Sequence, residues 1–393
     1  MTGTYTITGG TIELNGAGAQ TLRGGRAYAN LTFSNSGTKG VTSAPTSITG
    51  TLTIADDVIL NTGTAGMGGL GTNLTMTGNA YFITGGSGII PHAQGTYTLG
   101  SGTTIEFSGS SATDVRVSGV SYYNVIVSGT NVGTTGTGTG ITFQSGGSFL
   151  VKNGATFRFA DPQGFSGSAL TAINNTNSPT ITLETGSTIN YNRADNIQTI
   201  TSAISYPNLT ISGGAGAVKT LDNNITVLEN LNLNTFSTGA LADAGFTINL
   251  AGNITGTGTH SGSGKILMTG NGATISGATL GNVELNNASG FSLSGSPTIN
   301  GTLTFTNGKL SLGANNLTIN STTASAITGY DNSKYVVTDD VGLFRRNVVA
   351  STTYDFPIGT STNYELATIT TNAAFTGPTR LDARFENTDL GAP

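Results

Sequence analysis

The chain has 393 residues, of which 59 are glycine and only 9% are charged; it carries a net charge of -5, two histidines and neither cysteine nor tryptophan. A hydrophobic content of 36% with so little charge excludes a disordered chain, and the dominance of Gly, Thr, Asn and Ser over good helix formers excludes a helical fold. No cysteine means no disulfide framework, the acidic balance without a basic stripe argues against a nucleic-acid partner, and no run of about 18 apolar residues is present to span a membrane.

From the start, Met1 is followed by Thr2 and Gly3 rather than by the basic and then apolar residues of an export signal. Short alternating segments follow: Thr11 to Leu14 (TIEL), Thr51 to Ile54 (TLTI), Asn73 to Met76 (NLTM), Thr104 to Phe107 (TIEF), Thr247 to Leu250 (TINL) and Thr302 to Phe305 (TLTF). Apolar residues alternate with Thr or Asn, so the spacing predicts strands with one buried face and one wet face, separated by Gly, Asn and Ser turns.

A longer repeat lies above these strands. Tyr28-Ala29-Asn30-Leu31-Thr32-Phe33, Tyr122-Tyr123-Asn124-Val125-Ile126-Val127, Tyr206-Pro207-Asn208-Leu209-Thr210-Ile211 and the degenerate Leu280-Gly281-Asn282-Val283-Glu284-Leu285 align on their asparagines. Asn30, Asn124, Asn208 and Asn282 are therefore structural repeat anchors, and the interval between them shrinks along the chain, as coils or loops are lost between copies.

A strand of four residues with one apolar face buries that face only by stacking on copies of itself. The expectation is an all-β parallel β-helix (β-solenoid) over residues 1–322, with about four degenerate larger repeats; at roughly 20 residues per coil this gives about 16 coils. An antiparallel β-sandwich array is the structural alternative, because hairpin signals such as Asn307-Gly308 also occur. Composition shifts near residues 321–329, and residues 323–393, with Asp339, Asp340, Arg345 and Arg346, are expected to form a small C-terminal β module or cap that protects the open end.

The Tyr-x-Asn-Leu-Thr-Ile-Ser blocks, together with Tyr335-Val336-Val337-Thr338, Gly342-Leu343-Phe344-Arg345-Arg346, Phe356-Pro357-Ile358-Gly359-Thr360 and Tyr364, resemble large repetitive surface proteins of Bacteroidetes, including adhesins exported by the type IX secretion route. The resemblance implies an extracellular or cell-surface location. It transfers no catalytic residue, and the sorting domain common in such proteins is not recognisable after Arg384.

Residues that carry chemistry are sparse. His92 and His260 lack a nucleophile-elbow context and read as loop histidines. Asp56-Asp57, Asp339-Asp340 and the pair Arg158, Asp161 read as solvated turn residues, the glycine-rich stretch 133–140 lacks the Gly-Lys-Ser/Thr ending of a phosphate loop, and no repeated calcium motif occurs. Thr-x-Thr pairs such as Thr51 with Thr53 and Thr302 with Thr304 are expected from strand propensity, though stacked on one face they would suit ice or glycans. Of Tyr122 and Tyr123, one is expected to face the core. No catalytic, cofactor or metal site is expected. The function expected is a structural extracellular protein, a fibre or adhesin stalk, whose partners are further copies in a filament, surface glycans or other cells; the alternatives are a glycan-binding or polysaccharide-cleaving β-helix and an ice-binding solenoid.

Overall fold

A computed structural model describes residues 9–45, 47–69, 71–134, 136, 138–234, 240–376 and 379–385. The opening Met1-Thr2-Gly3, part of the 133–140 stretch and the end of the 323–393 segment lie outside the described residues. The chain is nearly all β, and its stacked parallel sheets form a β-solenoid of about 16 turns. It divides into two compact units, Met1–Arg193 and Ala194–Pro393. Among the described residues no helix is long and apolar enough to cross a membrane.

In the first unit, one wall stacks Thr11–Leu14, Asn30–Phe33, Thr51–Ile54, Asn73–Met76 and Tyr97–Leu99, all parallel. A second wall runs through eight strands from Gln20–Leu22 to Thr180–Leu183, and a third from Gly88–Ile90 to Thr188–Tyr191. Alternation decides what each strand buries: Leu31, Leu52 and Leu74 stack inward at 0% exposure, as do Phe33, Ile54 and Met76, while the threonines between them face out. Each such side chain, fully buried, contributes roughly 1.5–3 kcal/mol.

The step from one coil to the next is not constant. Asn30 and Thr51, hydrogen-bonded across successive coils, stand 21 residues apart, whereas Asn153 and Glu184, bonded in the same way, stand 31 residues apart. The longer step also separates Phe149 from its register partner Ile181, and its extra residues bring Phe165 into the core. There its ring lies 5.8–6.0 Å from those of Phe149, Phe157 and Phe159.

In the second unit, one wall stacks Ile225–Val227, Thr247–Leu250, Lys265–Met268, Asn282–Asn286, Leu303–Asn307 and Ile327–Thr328. A neighbouring wall runs from Asn208–Ile211 through Leu231–Leu233 and Ile254–Gly256 to Val336–Val337 and Thr353–Gly359. Here the step shortens, so that Asn282 bonds to Gly264 on the coil before it across only 18 residues. Asn307-Gly308 makes no hairpin. Gly308, at φ +82°, turns a corner between Leu303–Asn307 and Leu310–Ser311, which belong to different walls, and a Cβ there would sit 2.1 Å from the Asn287 carbonyl.

Parallel stacking continues past residue 322 as far as Phe344–Asn347 and Thr353–Gly359. Only then does the pairing reverse. Tyr364–Thr370 lies antiparallel to Thr353–Gly359, and Arg380–Ala383 antiparallel to Phe344–Asn347, so a hairpin-like layer closes this end. Arg346 is fully buried beneath it and donates to the carbonyls of Asp355 (2.7 Å), Ala324 (3.0 Å) and Thr323 (3.2 Å), with its guanidinium 5.0 Å from the centre of the Tyr354 ring. Burial lowers its pKa from the usual arginine value.

Candidate functional site

The repeat anchors link coils. Asn30 donates to the Gly10 carbonyl of the coil before (3.2 Å) and accepts the Thr51 N–H of the coil after (2.9 Å). Asn282 repeats this with the Gly264 carbonyl (2.7 Å) and the Thr302 N–H (2.9 Å). Asn124 donates to Thr104 Oγ1 and accepts from Ser148 Oγ. Asn208 donates to Glu229 Oε2 and accepts from both nitrogens of Asn230, which in turn accepts from Asn253, which accepts from Thr274. The four anchors occupy different sheets, so sequence-equivalent positions do not share one wall.

The tyrosines two residues before three of the anchors form a second device. Tyr28, Tyr122 and Tyr206 are buried, and their hydroxyls donate to the carbonyls of Arg23 (3.1 Å), Arg116 (2.8 Å) and Thr201 (2.5 Å), five or six residues upstream. Each latches the corner leading into its strand. Burial raises the pKa of Tyr28 and of Tyr122. Tyr123 faces outward, half-buried.

His260 is a correction to the loop-histidine expectation: it lies on the strand His260–Ser261, fully buried, because its position faces the core. Its Nε2 is 3.0 Å from Asp243 Oδ2, and its Nδ1 accepts the Gly281 N–H at 3.3 Å. Asp243 also accepts the N–H groups of Gly245 and Gly264, each at 2.8 Å. A Cβ on Gly264 would meet the Phe246 carbonyl at 1.9 Å, so only glycine brings that N–H so close. Burial pushes the Asp243 carboxyl up, but the His260 ring and the two N–H groups outweigh it and hold its pKa below the usual value. The Gly281 N–H takes Nδ1 and Asp243 faces Nε2 at ion-pair distance, so the two side chains form a buried polar joint between coils. Nothing in the local sequence marks Asp243, since its partner lies on the next coil. A shallow depression of about 260 Å3, lined by Gly245, Ser263, Lys265, Asn282 and Thr302 among others, opens beside the joint.

Several other charged residues are also tied to other coils. Asp56 and Asp57 accept from the backbone N–H and side chain of Asn79, capping the next turn. Asp339 and Asp340 accept from the N–H groups of Ser361 and Val341. Arg158 and Asp161 take different partners: Arg158 meets Asp114 (2.9 Å) and Asn131, whereas buried Asp161 accepts from Thr134 (2.8 Å) and the Gly138 N–H. Burial is the main reason the Asp161 carboxyl titrates higher than usual. Glu106 meets Lys152 at 3.0 Å and accepts from Tyr81. Burial raises the Glu106 carboxyl, and its contacts with Ser128, Tyr81 and Lys152 together bring the pKa below the usual range. Arg345 lies 3.4 Å from Asp382. Among the described residues no three His, Asp or Glu side chains converge as a metal set.

No family model, curated protein or solved structure matches this chain.

The outward threonines fall into two groups. Thr302 and Thr304 are engaged, the first with Asn282 and the second with Thr328. On the five-stranded wall of the first unit, by contrast, register places Glu13, Thr32, Thr53, Thr75 and Thr98 in one rank and Thr11, Asn30, Thr51 and Asn73 in the next, with Thr96 following Asn73. Sequence reading picked out Thr51 and Thr53 but not the rank. Aligning TIEL, NLTF, TLTI, NLTM and TYTL on their apolar positions is the signal that finds it.

Proposed function

We propose that the protein is a structural element of the cell exterior, a fibre or adhesin stalk whose work is reach and persistence rather than a chemical step. One observation carries this reading: asparagine side chains on the walls of both units join one coil to the next, as Asn30 does between Gly10 and Thr51 in the first unit and as do the run Asn208, Asn230, Asn253, Thr274 and the run Asn300, Asn320, Asn347 in the second. A surface built this way resists local opening, because the amides inside each run are held from two sides. Carboxylates follow the same rule. Asp56, Asp243 and Glu284 each bond to a neighbouring coil, and Glu106 and Asp114 reach two coils along to Lys152 and Arg158, instead of converging in a groove, which disfavours a polysaccharide-cleaving site. The similarity of the Phe356-Pro357-Ile358-Gly359 tail to exported surface proteins supports an external location, with further copies, surface glycans or other cells as partners.

Immunogold labelling of intact, unpermeabilised producing cells tests the proposal. Label outside the envelope, together with weaker attachment of a deletion strain to surfaces, is the expected result; label confined to the cytosol would overturn it.

A further inference from the structure

The five-stranded wall of the first unit presents a regular array of side-chain hydroxyls. One rank holds Thr32, Thr53, Thr75 and Thr98 in successive strands, and beside it run Thr11, Asn30, Thr51, Asn73 and Thr96. On the other side lie the small residues Ser34, Ala55 and Thr77, which follow the same strands. Parallel strands repeat at about 4.8 Å and alternate residues along a strand at roughly 6.6 Å, so the hydroxyls form a two-dimensional grid with those spacings. Glu13, at the outermost strand, is the one ionic member of these ranks, and its carboxylate is taken by the Ser34 hydroxyl at 2.5 Å.

On this wall the outward hydroxyls are not used to join one coil to the next. Elsewhere Thr274, Thr302, Thr304 and Thr306 bond to Asn253, Asn282, Thr328 and Glu284. The hydroxyls of Thr11, Thr32, Thr51, Thr53, Thr75, Thr96 and Thr98 bond to no protein atom among the described residues. They are left for solvent in fixed positions, because β-branched side chains on a strand have few rotamers and the three inner strands, Asn30–Phe33, Thr51–Ile54 and Asn73–Met76, are paired on both sides.

We propose that this face binds ice. Hydrogen bonding alone does not distinguish ice from liquid water, since a hydroxyl finds partners in both and the net exchange is small. Discrimination needs an array whose repeat matches an ordered water lattice and whose groups lose almost no freedom on binding. The Thr grid is periodic in two directions and is built from side chains with few rotamers, and each threonine adds a methyl group that displaces poorly held water. A soluble glycan would call for aromatic rings to stack on or a converging pair of carboxylates, and these ranks hold neither. A narrower line, Thr259, Thr279, Thr298 and Thr318, recurs in the second unit and ends at Arg345, which makes it the natural internal comparator.

The test is thermal hysteresis and ice-crystal shaping by the full chain, compared with Thr53→Tyr, Thr53→Val, Thr298→Tyr and, as a control on another wall of the first unit, Thr182→Tyr. Tyrosine suits strands, so far-UV circular dichroism and melting should match the wild type. The wild type is expected to show hysteresis and faceted crystals, Thr53→Tyr to abolish both, Thr53→Val to weaken them, and Thr182→Tyr and Thr298→Tyr to leave them in place. Three results would overturn the proposal: folded wild type without hysteresis, activity that survives Thr53→Tyr, or retention on crystalline cellulose or chitin with no effect on ice growth.

Discussion

Tyrosine and asparagine divide the labour within each repeat block. The tyrosine latches a corner from inside, and the asparagine two residues later ties its strand to the coils above and below from outside. Tyr206→Phe keeps the buried ring but leaves the Thr201 carbonyl without this donor, which should cost about 1–3 kcal/mol. A lower urea midpoint, with faster amide exchange around residues 201–206, is the expected outcome; unchanged exchange there would show that the latch is incidental. The asparagines were legible as anchors because they recur in a fixed block. The latch was not, because a buried tyrosine next to a polar loop looks the same in sequence whether or not its hydroxyl reaches a carbonyl. Asp243 was harder still: it gains its role only when coil stacking places it against His260.

At the level of strands, period-2 alternation predicted position and, for TLTI, NLTM and TINL, facing, whereas TIEF is buried at all four positions and the strand expected at Thr302 begins at Leu303. TIEL, TLTI, NLTM, TIEF and TINL all form strands over the expected residues. Coil length was less legible, since corners absorb insertions without disturbing register. The long step that pairs Phe149 with Ile181 and the short one that pairs Ile266 with Val283 both keep their strands in alignment. The closing layer depends on one residue that composition marked only as charged. Arg346 holds three carbonyls from two segments, Thr323 and Ala324 in one and Asp355 in the other, with no carboxylate among its hydrogen-bond partners. Arg346→Met fills similar volume but removes all three donors, so a loss on the order of 3 kcal/mol is expected. Limited proteolysis should then cut first between residues 344 and 383. If that segment stayed as resistant as in the wild type, the cap would have to be held by the packing of Phe344 on Phe356 instead.

For the whole molecule, acid is the informative stress. Asp243, Glu106 and Glu284 are all held below their usual pKa in the folded chain. A carboxylate of that kind contributes stability that is present above its unfolded pKa, about 4, and is lost as pH falls through the lower folded value. Asp161, raised by burial, works in the opposite direction and offsets part of the loss. The urea midpoint should therefore stay level from about pH 7 to 5 and drop below about pH 4, with Asp243→Asn flattening the drop; a midpoint that rises on acidification would contradict this. Stacking in register also has a hereditary consequence. In the second unit Leu209 lies beside Leu231 and Leu231 beside Ile254, while on the adjoining wall Ile225 lies beside Ile248 and Ile248 beside Ile266. Excising residues 231–253 would set Leu209 against Ile254 and Ile225 against Ile266, apolar on apolar on these two walls, while on the third it would remove Asp243 from His260. Recombination between repeats in the coding sequence can thus lengthen or shorten such a protein one turn at a time without inventing a new fold, so that its length becomes a trait open to selection.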